Sequence, residues 1–132
     1  MKNLNSFLPG LALIVVLSSV GCTQEQSVVF SAQELSRQIQ TDQAPLILDV
    51  RTVEEFSEAH IPGAVNIPHT ELAERITEIN EFKNQRVIVH CHSGRRADLA
   101  QVVLEEKGFT QVLMLDGHFL QWQADGFPLQ SP

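Results

Sequence analysis

Cysteine is scarce in this chain, with two in 132 residues, Cys22 and Cys91. That excludes the disulfide framework on which small cysteine-rich domains depend. Cations are scarce too: nine Lys and Arg stand against sixteen Asp and Glu, a formal net charge of −7. A protein that binds the phosphate backbone needs a basic footprint, so no nucleic acid is expected as a partner. The one place where two cations adjoin is Arg95-Arg96. No apolar run reaches the roughly 20 residues that span a bilayer comfortably. Internal repeats, low-complexity tracts and signs of a second domain are missing as well. What remains is 132 residues with 43% hydrophobic content, which describes one globular domain around a single core.

The opening segment stands apart from that domain. Met1 to Gly21 has a cation at Lys2, an apolar run from Leu11 to Leu17, and the small residues Ser18, Ser19 and Gly21. Positive start, short apolar centre and small residues at the end form the layout of a secretory signal peptide, so residues 1–21 are expected to be removed. Gly21-Cys22 resembles the lipobox of bacterial lipoproteins, with Ser19 where that family usually has leucine. The resemblance implies lipidation of Cys22, a polar tether over residues 22–27 and a folded domain over 28–132. Plain cleavage before an unmodified Cys22 is the alternative. Either way the expectation is export to the periplasm, and with the lipid, attachment to a membrane. Cys91 is then the sole thiol of the folded part, either inert and buried or kept for chemistry.

Three continuous apolar runs, "PLILDV" at Pro45 to Val50, "RVIVHC" at Arg86 to Cys91 and "QVLMLD" at Gln111 to Asp116, read as strands covered on both faces. Helical patterns lie between them. Ser31 with Glu34, and Thr52 with Glu55, have capping-box spacing. After Cys91 the pairs Leu99 and Val103, and Ala100 and Leu104, are spaced by four until Gly108 stops the pattern. Strands alternating with helices imply an α/β fold, a mainly parallel central sheet flanked by helices on both faces. Ligands of such sheets bind beyond the carboxyl ends of the strands, where this chain has Asp49, the His90-Cys91 pair and Asp116.

The stretch "HCHSGRRA" is the chemically loaded one. Arg95 and Arg96 fall at a predicted helix start, where the macrodipole disfavours cations by about 0.3–1 kcal/mol each. Two cations there, after a glycine that permits a tight turn, add guanidinium charge to free N–H groups and the dipole. An anion is expected in the loop. A free thiol with a pKa of about 8.5 is a few per cent thiolate at neutral pH, and positive potential favours the thiolate, so Cys91 reads as a nucleophile rather than an inert core thiol. A metal site reads poorly: His90, Cys91 and His92 alternate sides in an extended chain and have no spaced partner, although His60, His69 and His118 could converge.

Taken together, "LILDVRTVEEFSEAHIPGAVNIP", "VIVHCHSGRRA" and "GHFLQWQADGFPL" resemble a single-domain rhodanese, of the sulfurtransferase family, across about Val28 to Leu129. Asp49, Arg51, Glu55, His60 to Ala64, Asn66 and Pro68 match a motif the family uses as framework. Cys91, Gly94 and Arg96 match its active-site loop. Gly117, Trp122, Gly126 and Pro128 match a third motif, in which His118 replaces a second glycine; Trp122 reads as core packing. The resemblance implies a Cys91 persulfide formed from a small sulfur-containing anion such as thiosulfate and emptied by a thiol or cyanide, with no cofactor. Backbone N–H groups of His92, Ser93, Gly94, Arg95 and Arg96 would hold the persulfide, and Arg96, assisted by Arg95, the sulfonate. His92 stands where some thiosulfate-using members carry arginine. Related phosphatases place arginine one residue later, where this chain has Ala97. A persulfide-binding or redox-sensing module is the other alternative.

Overall fold

A computed structural model describes residues 29–132. Residues 1–21, read above as a signal peptide, Cys22, the rest of the expected tether and Val28 lie outside the described residues. The elements are β1 (Val29–Phe30), α1 (Ala32–Gln40), β2 (Leu46–Asp49), α2 (Val53–Glu58), β3 (Val65–Asn66), α3 (Leu72–Arg75) followed by a 3-10 helix (Ile76–Phe82), β4 (Arg86–His90), α4 (Arg95–Glu106), β5 (Gln111–Leu115) and α5 (His118–Ala124). The three apolar runs are β2, β4 and β5, each ending before the last residue of its run. β1 and β3 have two residues each, too few to show periodicity in a sequence.

All strand pairs are parallel, in the order β1-β5-β4-β2-β3, so the strand that delivers Cys91 is central. Register aligns Asp49 with His90, and Val89 with Met114. The carboxyl ends therefore form one edge, sealed where Val50 N–H donates to the His90 carbonyl at 3.0 Å and Asp116 N–H to that of Phe30 at 2.9 Å.

The runs are continuous because each face of the sheet has its own core. Leu46, Leu48, Val87, Val89, Val112 and Met114 pack under α3, the 3-10 helix and α4, whereas Ile47, Ile88 and Leu115 pack under α1 and α5. Cys91 belongs to the first core, together with Ala97, Ala100 and Leu104 of α4. Of the two four-spaced pairs on that helix, Ala100 and Leu104 form the buried face; Leu99 is 55% exposed. The capping signals also separate. At α2 both bonds of the box form, Glu55 N–H to Thr52 Oγ1 and Thr52 N–H to Glu55 Oε2. At α1 only Ser31 caps, because the Glu34 carboxylate is taken by Arg37 and Gln38 one turn on.

Candidate active site

Cys91 leaves the central strand and is 1% exposed. Its loop reverses within three residues, which requires φ +127° at Gly94, a region closed to side chains. That turn aims Gly94 N–H at Cys91 Sγ, 3.0 Å away. Gly94 is also the N-cap of α4 and offers no side-chain acceptor, so the helix starts without a side-chain cap at the residue whose N–H meets the sulfur. The loop is held from the other side by α5. Phe119 N–H donates to the Cys91 carbonyl and Leu120 N–H to that of His92, each at 3.0 Å. One helix start thus fixes the loop, and another faces its sulfur.

The two arginines part company. Arg95 is exposed, whereas Arg96 turns back to α2 and grips Glu55 with both arms, Nη1 to Oε2 at 2.6 Å and Nη2 to Oε1 at 2.9 Å. Fork-on-carboxylate pairing of this kind is charge-assisted and directional. The guanidinium, followed by smaller contributions that include Thr52, lowers the Glu55 pKa to about 2 despite partial burial. In return Glu55, and to a lesser extent Cys91, holds the pKa of Arg96 above its ordinary value. Glu55 therefore both caps α2 and aims Arg96. The family resemblance marked it as framework and its spacing from Thr52 as a cap; neither signalled the grip on Arg96.

A second polar cluster lies under the sheet edge. The buried Asp49 carboxylate accepts from Arg51 N, Nε and Nη2, and the Arg51 guanidinium lies 3.7 Å over the Phe119 ring. Asn66 Nδ2 donates to the Asp49 and Arg51 carbonyls, pinning the same turn. His90 is fully buried, with Nδ1 3.3 Å from the Cys91 carbonyl and Nε2 3.6 Å from Asp49 Oδ2 but without a hydrogen-bond partner. Burial, opposed by the Asp49 charge, lowers its pKa to about 4.

His118 also enters the site. It follows β5 at φ +54°, left-handed backbone that costs a side-chain-bearing residue on the order of 1 kcal/mol. Its Nδ1 accepts from Cys91 N–H at 3.4 Å, and its ring stands against Gly94, Nε2 lying 3.1 Å from where a Cβ would be. His92 and Ser93 are exposed at the tip of the loop. Trp122 is wholly buried in the α5 core, its indole N–H donating to the Pro128 carbonyl. Among the described residues no three His, Cys, Asp or Glu side chains gather as a metal-holding group; His60 stacks on Phe56 instead.

A rhodanese-like domain model matches residues 31–125. The chain belongs to the rhodanese family. Among relatives, a sulfurtransferase of Allochromatium vinosum is 31% identical over 101 residues, covering 76% of this chain and 92% of that protein. The putative sulfur carrier protein YrkF of Bacillus subtilis is 37% identical over 92 residues, 70% of this chain, which spans about half (49%) of that protein. Thiosulfate sulfurtransferase PspE of Escherichia coli is 42% identical over 65 residues, 49% of this chain and 62% of that protein. Among solved structures, the rhodanese-like domain of Anabaena Alr3790 superposes with a TM-score of 0.71 at 26% identity, covering 80% of each chain. A thiosulfate sulfurtransferase of Pseudomonas aeruginosa gives 0.69 at 25% identity, covering 78% of this rhodanese and 20% of that chain.

Proposed function

We propose that this rhodanese moves sulfane sulfur from a small anionic donor such as thiosulfate to a thiophilic acceptor, cyanide or a thiol, through a persulfide on Cys91. The observation that carries the reading is the Gly94 N–H on Cys91 Sγ at the uncapped start of α4, which gives the sulfur a backbone donor at a helix N-terminus. In the first step the Cys91 thiolate attacks the outer sulfur of thiosulfate. A sulfur–sulfur bond forms to Cys91, the bond to the sulfonate sulfur breaks, and sulfite leaves with its electron pair. In the second, the acceptor attacks the outer sulfur, the bond to Cys91 breaks and the thiolate is regenerated; with cyanide the product is thiocyanate. Arg96, with Arg95, is assigned to the donor's sulfonate and the charge on departing sulfite, and the exposed His92 and Ser93 to the mouth of the loop.

Purified protein incubated with thiosulfate should gain the mass of one sulfur atom and yield thiocyanate on addition of cyanide, and Cys91→Ser should do neither. A wild-type protein that does neither would overturn the thiosulfate reading. The chain is further proposed to be exported and attached to a membrane through lipidated Cys22, on the support of the Lys2, apolar-run and Gly21-Cys22 pattern. Mass spectrometry of the mature N-terminus checks this: acylated Cys22 is expected, and an uncleaved Met1 start would refute it.

A further inference from the structure

We propose that His118 is a positioning residue for the Cys91 loop, taking the Cys91 N–H on its Nδ1 and walling Gly94 with its ring. This rests on the reading of Cys91 as the nucleophile.

The geometry supports it from both sides of the loop. The bond to Nδ1 comes from a backbone N–H, which can only donate, so the ring is neutral with its proton on Nε2. Burial lowers the His118 pKa, opposed by Asp98 and Asp116, and so keeps the ring in the accepting form. The other edge of the imidazole lies against Gly94, the residue whose N–H reaches the sulfur. One side chain therefore touches the start of the loop, which carries the nucleophile, and its end, which carries the donor to that nucleophile. The position takes left-handed backbone that glycine would occupy without strain, so the histidine there is opposed by local conformational preference while making these two contacts.

The ring also acts without substrate, which permits a test independent of sulfur transfer. In the full chain, long-range ¹H–¹⁵N spectra at neutral pH should show His118 protonated at Nε2 and bare at Nδ1; protonation at Nδ1 would overturn the assignment. His118→Gly relieves the backbone strain and should fold, which Trp122 fluorescence on heating verifies. It should slow alkylation of Cys91 by iodoacetamide and sulfur loading from thiosulfate at least threefold. His118→Asn, whose amide oxygen can accept the Cys91 N–H and which tolerates left-handed backbone, should restore at least half of the lost rate. Wild-type rates in the glycine variant, or no recovery in the asparagine variant, refute the role. Should wild type alkylate fast and in a His118-dependent way yet take no sulfur from thiosulfate, positioning stands and the thiosulfate reading falls.

Discussion

In the proposed reaction the chemistry at Cys91 is set by side chains that do not themselves react. Arg96 is brought to the loop by its own helix but aimed by Glu55, 41 residues away in sequence. Glu55→Gln keeps a residue able to close the capping box while removing the charge that grips Arg96. It should lower kcat/KM for the proposed donor thiosulfate by up to about 100-fold, the scale on which a misplaced positioning group is felt, with Tm nearly unchanged. Glu55→Ala should lower both. His90 is expected to set part of the acid limit of the fold. Above about pH 6.5 it is neutral folded and unfolded. As pH falls towards 4 the unfolded chain takes a proton that the buried ring refuses, so stability is lost across that window. The full difference is on the order of 3 kcal/mol at about 1.4 kcal/mol per pKa unit. Urea denaturation from pH 7 to 4 measures it, and His90→Gln, which cannot titrate, should flatten the slope. Cys91 and Gly94 were legible from "HCHSGRRA"; the grip of Glu55 and the reach of His118 were not, because neither shares a local pattern with the loop.

Elements carry their instructions near their ends. α2 starts where Thr52 and Glu55 exchange bonds, and α4 starts where Gly94 turns at φ +127°. Thr52→Ala should cost about 1 kcal/mol of stability, the usual loss of an N-cap, read as a lower Tm. Gly94→Ala is expected to be harsher for function than for the fold. Its methyl would require forbidden backbone and press on His118 Nε2, so the N–H would turn away from the sulfur. Sulfur loading should fall at least tenfold while circular dichroism retains the helical signal. Capping spacings were readable because they join residues three apart. The half-formed box at Ser31 shows the limit of that reading: Glu34 had a competing partner in Arg37, and sequence spacing does not decide between them.

At the scale of the whole molecule one sheet serves two cores, and neither can empty without loosening the other. Leu104 packs on the α4 face and Leu35 on the opposite face, both without exposure to solvent. Leu104→Ala and Leu35→Ala should each cost about 2–5 kcal/mol, the range for large-to-small substitutions in cores. Both should shift a single transition reported by the lone tryptophan, Trp122, which is buried at 0% exposure. Two separate transitions would refute the coupling of the two cores through the sheet.

By itself the sequence determined what depends on neighbours along the chain: three apolar runs, the helix starts between them, the tight turn at Gly94 and the cluster of N–H groups and cations after Cys91. These follow from short-range sterics, hydrogen bonding and periodicity, which residues a few positions apart decide among themselves. Tertiary structure alone decided the strand order β1-β5-β4-β2-β3 and its register. That order sets the end of β5, and with it His118, beside the end of β4, while α2 places Glu55 opposite Arg96. Such pairings depend on how whole elements bury their apolar faces against one another, and no local stretch of the chain contains that choice.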